Sequence, residues 1–502
     1  MKRKLYLVLV LIIILSAFAG CNVRGNDGIN NAATGTQEVN NITPVENGNL
    51  YKIYTELNVD DKTLTGKQNV KYVNAENVDL NELYFHVYTN AFKAQDTAPF
   101  LFDDFDRAYS RGFEPGYTEV SSIKAAGKSL KYSFQGEGNT ILKVELLEPL
   151  KAGSAIELEM DYKVTIPPAN ERFGYGENHF NLGNWYPVAA VYDKEGWNLD
   201  KYFPIGDPFY SDTANYEVTV KMPKEYVIAA SGRLINEKEE GSNKIWEFQG
   251  SSMRDFAFVA NKDFKVAEQK VDGTVVKSYY YKEDERRGKE ALEIGVNSIK
   301  IFNEKFGKYP YPTYSVVETV FPSGMEYPGL VYISDAYYKP FANRDVLTIV
   351  VVHETGHQWF YSLIGNDQVD EAWLDEGFAT YSESIYIENA LSKQRGENYF
   401  NNSVEERHDE AIAQKMIDGV VVRSLEDFRN WEDYGPTVYT RGAVVLNELR
   451  NKLGDEKFFQ VIQEYFKEFE FKIATTEDFI KVSERVAGQD LDDFFNTWLY
   501  AK

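Results

Sequence analysis

His353-Glu354-Thr355-Gly356-His357, followed after eighteen intervening residues by Glu376, restricts this chain more than any other feature. Residues four apart on a helix share a face, so His353 and His357 can aim two imidazoles at one point. Glu354 lies beside the first of them, where a carboxylate can take a proton from a metal-activated water. Glu376 supplies a third ligand if a second helix brings it back over the first. Three protein ligands leave a tetrahedral position open, the mark of a catalytic rather than a structural zinc. The chain must therefore fold as helix, short loop, helix across this stretch. The flanks agree: the apolar run 346–352 enters the motif as a buried helix would, and Trp359-Phe360-Tyr361 is expected to continue it. A second helix is expected over 371–391, with Trp373, Gly377 and Thr380 facing the first. Only five histidines occur in 502 residues, so two at this spacing around a glutamate are poorly explained by a surface helix.

A chain of this length exceeds one core, so more than one domain is expected. Residues 51–59 alternate apolar and polar at the strand period. Similar runs recur at 68–72, 83–87, 141–146, 156–162, 216–220 and 244–248, separated by turn-forming clusters such as Asp60-Asp61-Lys62. Residues 49–265 are accordingly read as an antiparallel β domain. The period then changes. Leu292, Val296, Ile299, Phe302 and Phe306 recur at helical spacing, and Gly307, Pro310 and Pro312 close that helix. Helical segments are expected over 398–412, 442–452, 455–467, 476–486 and 491–499. Residues 266–502 are thus read as a mainly helical domain carrying the metal.

The N-terminus reads as a targeting segment. Lys2-Arg3-Lys4 precedes an apolar run, residues 5–19, too short for a comfortable membrane span. Ala19-Gly20-Cys21 resembles a bacterial lipoprotein processing site, with Phe18 at the position usually held by Leu. The expectation is a signal segment over 1–21, a lipid anchor on Cys21, a flexible tether over 22–48, and an extracytoplasmic, membrane-anchored protein. An ordinary cleaved signal peptide is the alternative. Cys21 is the only cysteine, which excludes internal disulfides and multi-thiolate metal sites. A net charge of −24 disfavours nucleic acid and anionic membrane surfaces as partners.

The metal motif alone does not distinguish cleavage within a peptide from removal of its first residue. Two other segments bear on that choice. Ser323-Gly324-Met325-Glu326-Tyr327 precedes a strand-like run at 330–333, and its glycine permits close backbone approach. An extended peptide can pair along such an edge, and a carboxylate there can hold a protonated amine. Downstream, Tyr439 in Tyr439-Thr440-Arg441-Gly442-Ala443 offers a phenol to a developing oxyanion.

Together these segments resemble the zinc aminopeptidase family of aminopeptidase N and leukotriene hydrolase, gluzincin metallopeptidases, here in a short two-domain bacterial lipoprotein form. The family's Trp-Leu-Asn-Glu-Gly-Phe-Ala setting is similar to residues 373–379, with Asp375 for Asn. Its Gly-x-Met-Glu-Asn loop is similar to residues 323–327, with Ser323 for Gly and Tyr327 for Asn, and its Tyr-x-Lys-Gly-Ala motif matches residues 439–443, with Arg441 for Lys. The resemblance implies an α+β multidomain fold, an N-terminal antiparallel β domain followed by a mainly helical, thermolysin-like catalytic domain. It implies one zinc per chain on His353, His357 and Glu376, Glu354 as general base, and Tyr439 as oxyanion donor. Glu326 would hold the substrate amine, with Gly324 and Met325 beside the peptide. Glu383 falls where the family keeps an acidic residue behind a ligand. Tyr186, in Asn184-Trp185-Tyr186-Pro187, occupies the place of a second amine-binding Glu or Gln, so one anchor is expected to be missing. Peptides are the implied substrates, and the oligomeric state stays open. The rival readings are a thermolysin-type endopeptidase and a non-catalytic surface peptide-binding protein.

Overall fold

The computed structural model describes residues 48–102 and 104–501. The expected signal segment, Cys21 and nearly all of the tether lie outside the described residues. No helix among those described is long and apolar enough to cross a membrane.

The N-terminal region is a β structure built on an eight-stranded sheet. Its first strand, Asn49–Asn58, buries Tyr51, Ile53, Thr55 and Leu57 and exposes the residues between them, as period-two alternation requires. The other expected strands fall within Thr63–Val73, Leu80–His86, Ile141–Leu150, Ala155–Thr165, Ala214–Pro223 and Asn243–Met253, except that the run 83–87 ends one residue early, at His86. One pairing departs from the antiparallel expectation: Asn49–Asn58 lies parallel to Ala214–Pro223, in register from Asn49 opposite Ala214. A crossover of more than 150 residues separates these strands, so no hairpin dictates their direction. Within the region a strap, residues 99–113, carries the one-turn helix α1 (Phe105–Ala108), capped by the Asp104 side chain.

The catalytic region contains a sheet that sequence periodicity did not indicate in full. Five strands run in the spatial order Phe264–Val271, Thr274–Tyr281, Thr313–Thr319, Leu330–Ser334, Gly324–Met325. The hairpin that begins at Phe264 straddles the expected boundary at 265/266. Thr313–Thr319 is buried on both faces along six of its seven residues, so it lacks the alternation that marks a half-buried strand. Gly324–Met325 pairs on one side only, with Ile333 and Tyr332, and forms an edge of the sheet.

Three helices then position the site. Helix α2 (Glu285–Lys305) packs Ile299 and Phe302 inward. Helix α3 (Arg344–Gly356) starts at the Asn343 cap and buries Leu347, Val350, Val351 and Val352. It ends at His357, one turn earlier than expected: Trp359-Phe360-Tyr361 turns away, Ser362 N–H returning to the His357 carbonyl at 2.9 Å. Trp359 leaves the helix to pack against Phe302, Phe306 and Tyr309. Helix α4 (Trp373–Ala390) returns Glu376 over α3. The expected facing residues are partly wrong. A Cβ on Gly377 would come 2.9 Å from the Gly442 Cα, and Trp373 Nε1 donates to Thr476, so both face the later helices. The close approach to α3 is made by Ala379 and Ser382, against Gly356.

Candidate metal centre and active site

His353 stands on the last turn of α3 and His357 caps it, so the helical repeat brings their Nε2 atoms within 3.2 Å. Glu376, in the first turn of α4, places Oε2 3.1 Å from His353 Nε2 and 3.2 Å from His357 Nε2. Three donors on a tetrahedral zinc with bonds of about 2.0–2.1 Å stand roughly 3.3–3.4 Å apart, so the triangle already has nearly the right size. The far sides of both rings set the tautomer. His353 Nδ1 donates to Glu383 Oε1 at 2.8 Å, and His357 Nδ1 to the Phe360 carbonyl at 3.1 Å. Both Nε2 atoms then present lone pairs to the same point, which only a cation between them reconciles. The field agrees: burial favours a neutral His357 ring, yet the Glu326 and Glu376 carboxylates outweigh it and raise the pKa to about 10. His353, His357 and Glu376 thus fit a zinc ion.

Around this centre the other sequence candidates converge. Burial pushes the Glu354 carboxyl up to about 8, against the downward pull of His353 and His357. Its Oε2 is buried and has no hydrogen-bond partner among the described residues. Gly324 lies directly against it, since a Cβ there would come 1.9 Å from Glu354 Oε1. Glu326, Glu354 and His357 offer ligand atoms all within 4.8 Å of one another, so the proposed amine anchor faces the metal centre. Tyr439 sits in a π-helical turn, Pro436–Arg441, ahead of the helix Gly442–Leu453. Its hydroxyl donates to Glu376 Oε1 at 2.5 Å, and its ring stacks 5.8 Å from that of His353. Burial, with the Glu376 charge, holds the phenol pKa well above its usual value, so it stays a proton donor. Met325 is fully buried, its Sδ accepting from Arg172 Nε at 3.0 Å, so only its backbone is left to face a peptide.

Tyr186 is not at the pocket. It is 1% exposed, and its hydroxyl donates to Asp255 Oδ1 at 2.7 Å. Its neighbour Asn184 makes the connection instead, accepting from the Tyr327 hydroxyl at 2.8 Å and donating to Asp255 Oδ2 at 2.7 Å. Tyr327, where the resembling family has Asn, therefore has a matched partner. Gly183 makes room for it, since a Cβ there would sit 1.8 Å from the phenol oxygen.

Sequence reasoning missed several further groups. Gln368 Nε2 donates to Glu326 Oε1 at 3.2 Å and to Asp375 Oδ2 at 2.7 Å, fixing the anchor from behind. Asp375 Oδ1 accepts from the Glu376 N–H at 2.6 Å. Asp207 is buried against Arg172, within electrostatic reach of Glu326, Glu376 and His357, and burial raises its pKa to about 7. Of these only Asp375 carried a local signal, as the substitution inside the Glu376 setting; the rest come from distant segments.

Residues 290–498 match the family model described as Peptidase family M1 domain. This stretch is an M1 peptidase domain. Among the relatives of the chain is aminopeptidase M1-D of Oryza sativa subsp. japonica, 25% identical over 375 residues, covering 72% of this chain and 42% of that one. Aminopeptidase N of Lactococcus lactis subsp. lactis is 30% identical over 221 residues, 42% of this chain and 26% of its own. The chain spans 42% of the length of the first plant relatives it matches. A mutant of the M1 zinc metallopeptidase from Deinococcus radiodurans, solved with a Tyr-Ser-Ala substrate, shares the fold. Its TM-score is 0.61 at 17% identity, over 92% of this chain and 96% of that one.

Proposed function

We propose that this protein is a zinc-dependent aminopeptidase that removes N-terminal residues from peptides outside the cytoplasm. The observation that carries the reading is the Glu326 carboxylate, which follows the edge strand Gly324–Met325 and offers an oxygen within 4.8 Å of ligand atoms of Glu354 and His357. A fixed anion one residue's length from the reacting carbonyl selects a free amine. An endopeptidase would need that position open to the preceding residue. The aminopeptidases among its relatives and the Tyr-Ser-Ala complex of the structural neighbour support the same class of substrate.

His353, His357 and Glu376 would hold a zinc ion, which would supply Lewis-acid polarisation of the scissile carbonyl. Glu354, with one carboxylate oxygen unpartnered, takes the proton of the attacking water and passes it to the leaving amine. Tyr439, resting on Glu376, turns its hydroxyl to the developing oxyanion. Glu326, held by Gln368, keeps the substrate's first residue in register with Glu354. Tyr186 is buried and turned to Asp255, so recognition of the amine falls mainly on Glu326.

The N-terminal sequence supports a lipid anchor at Cys21 as the means of retention at the membrane. Cys21→Ala should then appear in the soluble fraction or keep its signal segment, and wild-type protein carrying an unmodified Cys21 would refute the anchor. The activity is tested with a panel of aminoacyl fluorogenic substrates. Hydrolysis that a chelator abolishes and zinc restores is expected; hydrolysis indifferent to chelation would overturn the reading.

A further inference from the structure

We infer that Arg107, on the N-terminal strap, is a specificity-determining residue that binds the C-terminal carboxylate of peptides three or four residues long. The inference rests on the aminopeptidase reading and adds the substrate class to it. Three placements fix the direction of a bound peptide. Its amine lies at Glu326, its scissile bond beside Glu354 and hence Gly324, and its chain follows the unpaired edge of Gly324–Met325. It therefore runs antiparallel to that edge and leaves the centre toward Ser323 and Pro322.

Arg107 waits at that exit. Its Nη2 donates to the Pro322 carbonyl at 3.2 Å, and the residue is otherwise exposed. Tyr337, bonded to the Ser323 side chain, lies within electrostatic reach of both Arg107 and Glu354. Pro322 is four residues from Glu326, at most about 13–14 Å of extended backbone. A bound tripeptide spans roughly 10 Å from amine to carboxylate, and a tetrapeptide about 13 Å.

The strap is tied at two points. Phe102 packs on Trp431 at 5.2 Å between ring centres, and Trp431 leads through Tyr434 to Tyr439. Arg107 bonds the Pro322 carbonyl. The chemistry also requires a cation there. Glu326, Glu354 and Glu376 stand at the centre, Asp375 and Asp207 are buried within electrostatic reach of it, and the whole chain carries −24. A peptide carboxylate entering such a field needs a compensating charge. Arg172 is already paired with Asp207, and Lys339 with Asp284, whereas Arg107 makes no ion pair among the described residues and only feels Glu171 and Asp335 at longer range.

The test compares zinc-loaded wild type, Arg107→Ala and Arg107→Lys on Leu-Gly-Gly, its C-terminal amide, and leucyl-aminomethylcoumarin. Wild type should favour the free acid over the amide by about tenfold or more in kcat/KM, as a charge-assisted hydrogen bond provides. Arg107→Ala should bring that ratio near one, and Arg107→Lys should keep part of it. Equal rates on acid and amide in wild type overturn the inference. So does an Arg107→Ala enzyme that loses activity on both equally while keeping the ratio, because Arg107 then only holds the strap. If wild type fails even on leucyl-aminomethylcoumarin, the aminopeptidase reading itself falls and this inference falls with it.

Discussion

Glu383 touches no substrate, yet its replacement should be felt at the metal. Its Oε1 accepts from His353 Nδ1 at 2.8 Å, and its Oε2 accepts from the Tyr399 hydroxyl. The carboxylate is 7% exposed, so solvent does little to replace it. It does two things: it turns the ring so that Nε2 faces Glu376 and His357, and its charge raises the basicity of that nitrogen. Loss of such a partner typically costs about 10–100-fold in metal affinity, or about 1.4–2.7 kcal/mol. Glu383→Ala removes both effects and strands two half-buried donors, the His353 Nδ1–H and the Tyr399 hydroxyl. Each stranded donor costs about 1–3 kcal/mol of folding stability. Glu383→Gln keeps an acceptor for His353 and removes only the charge, so its zinc Kd should fall between wild type and Glu383→Ala. The assay is competition for zinc against a chelating dye, with circular dichroism to confirm that each variant is folded. A folded Glu383→Ala protein whose zinc Kd lies within twofold of wild type would refute the reasoning.

Other perturbations separate base, backbone and burial. Glu354→Gln should retain one zinc and lose about 10²–10⁴-fold in turnover; near wild-type turnover would remove Glu354 from the mechanism. Gly324→Ala should mimic that loss without touching a ligand, because the new Cβ would meet Glu354 Oε1 at 1.9 Å and displace the carboxylate; full activity with stoichiometric zinc would show the contact to be unimportant. Glu171 is fully buried, and burial raises its pKa from 4.5 to about 8. A raised carboxyl pKa stabilises the fold fully below the unfolded value, and that contribution is lost as pH rises through about 8. Wild type should therefore lose stability between pH 5 and 9, by up to about 4 kcal/mol relative to Glu171→Gln; parallel denaturation profiles for the two proteins would contradict this.

The metal centre was legible because its geometry is local. A four-residue repeat on one helix and a return helix specify three ligand atoms with little help from the rest of the chain. The strands of the N-terminal region were legible for a similar reason: Tyr51, Ile53, Thr55 and Leu57 face one core while the residues between them face water. What stayed hidden depends on partners far apart in sequence. Thr313–Thr319 is buried on both faces, so its pattern carries no period. The end of α3 is set by Trp359 finding Phe302 and Phe306, more than fifty residues earlier. Tyr186 could be aligned to a polar position, but which way its phenol points is decided by Asp255, 69 residues away. The roles of Gln368 and Arg107 likewise appear only once the edge Gly324–Met325 has been placed.

The most direct test of the central claim is mass-spectrometric analysis of one peptide offered with a free and with an acetylated N-terminus to the zinc-loaded enzyme. The account predicts stepwise loss of N-terminal residues from the free peptide, abolished by a chelator, and no cleavage of the acetylated one. Internal cleavage of both at comparable rates would contradict it and favour an endopeptidase on the same metal centre.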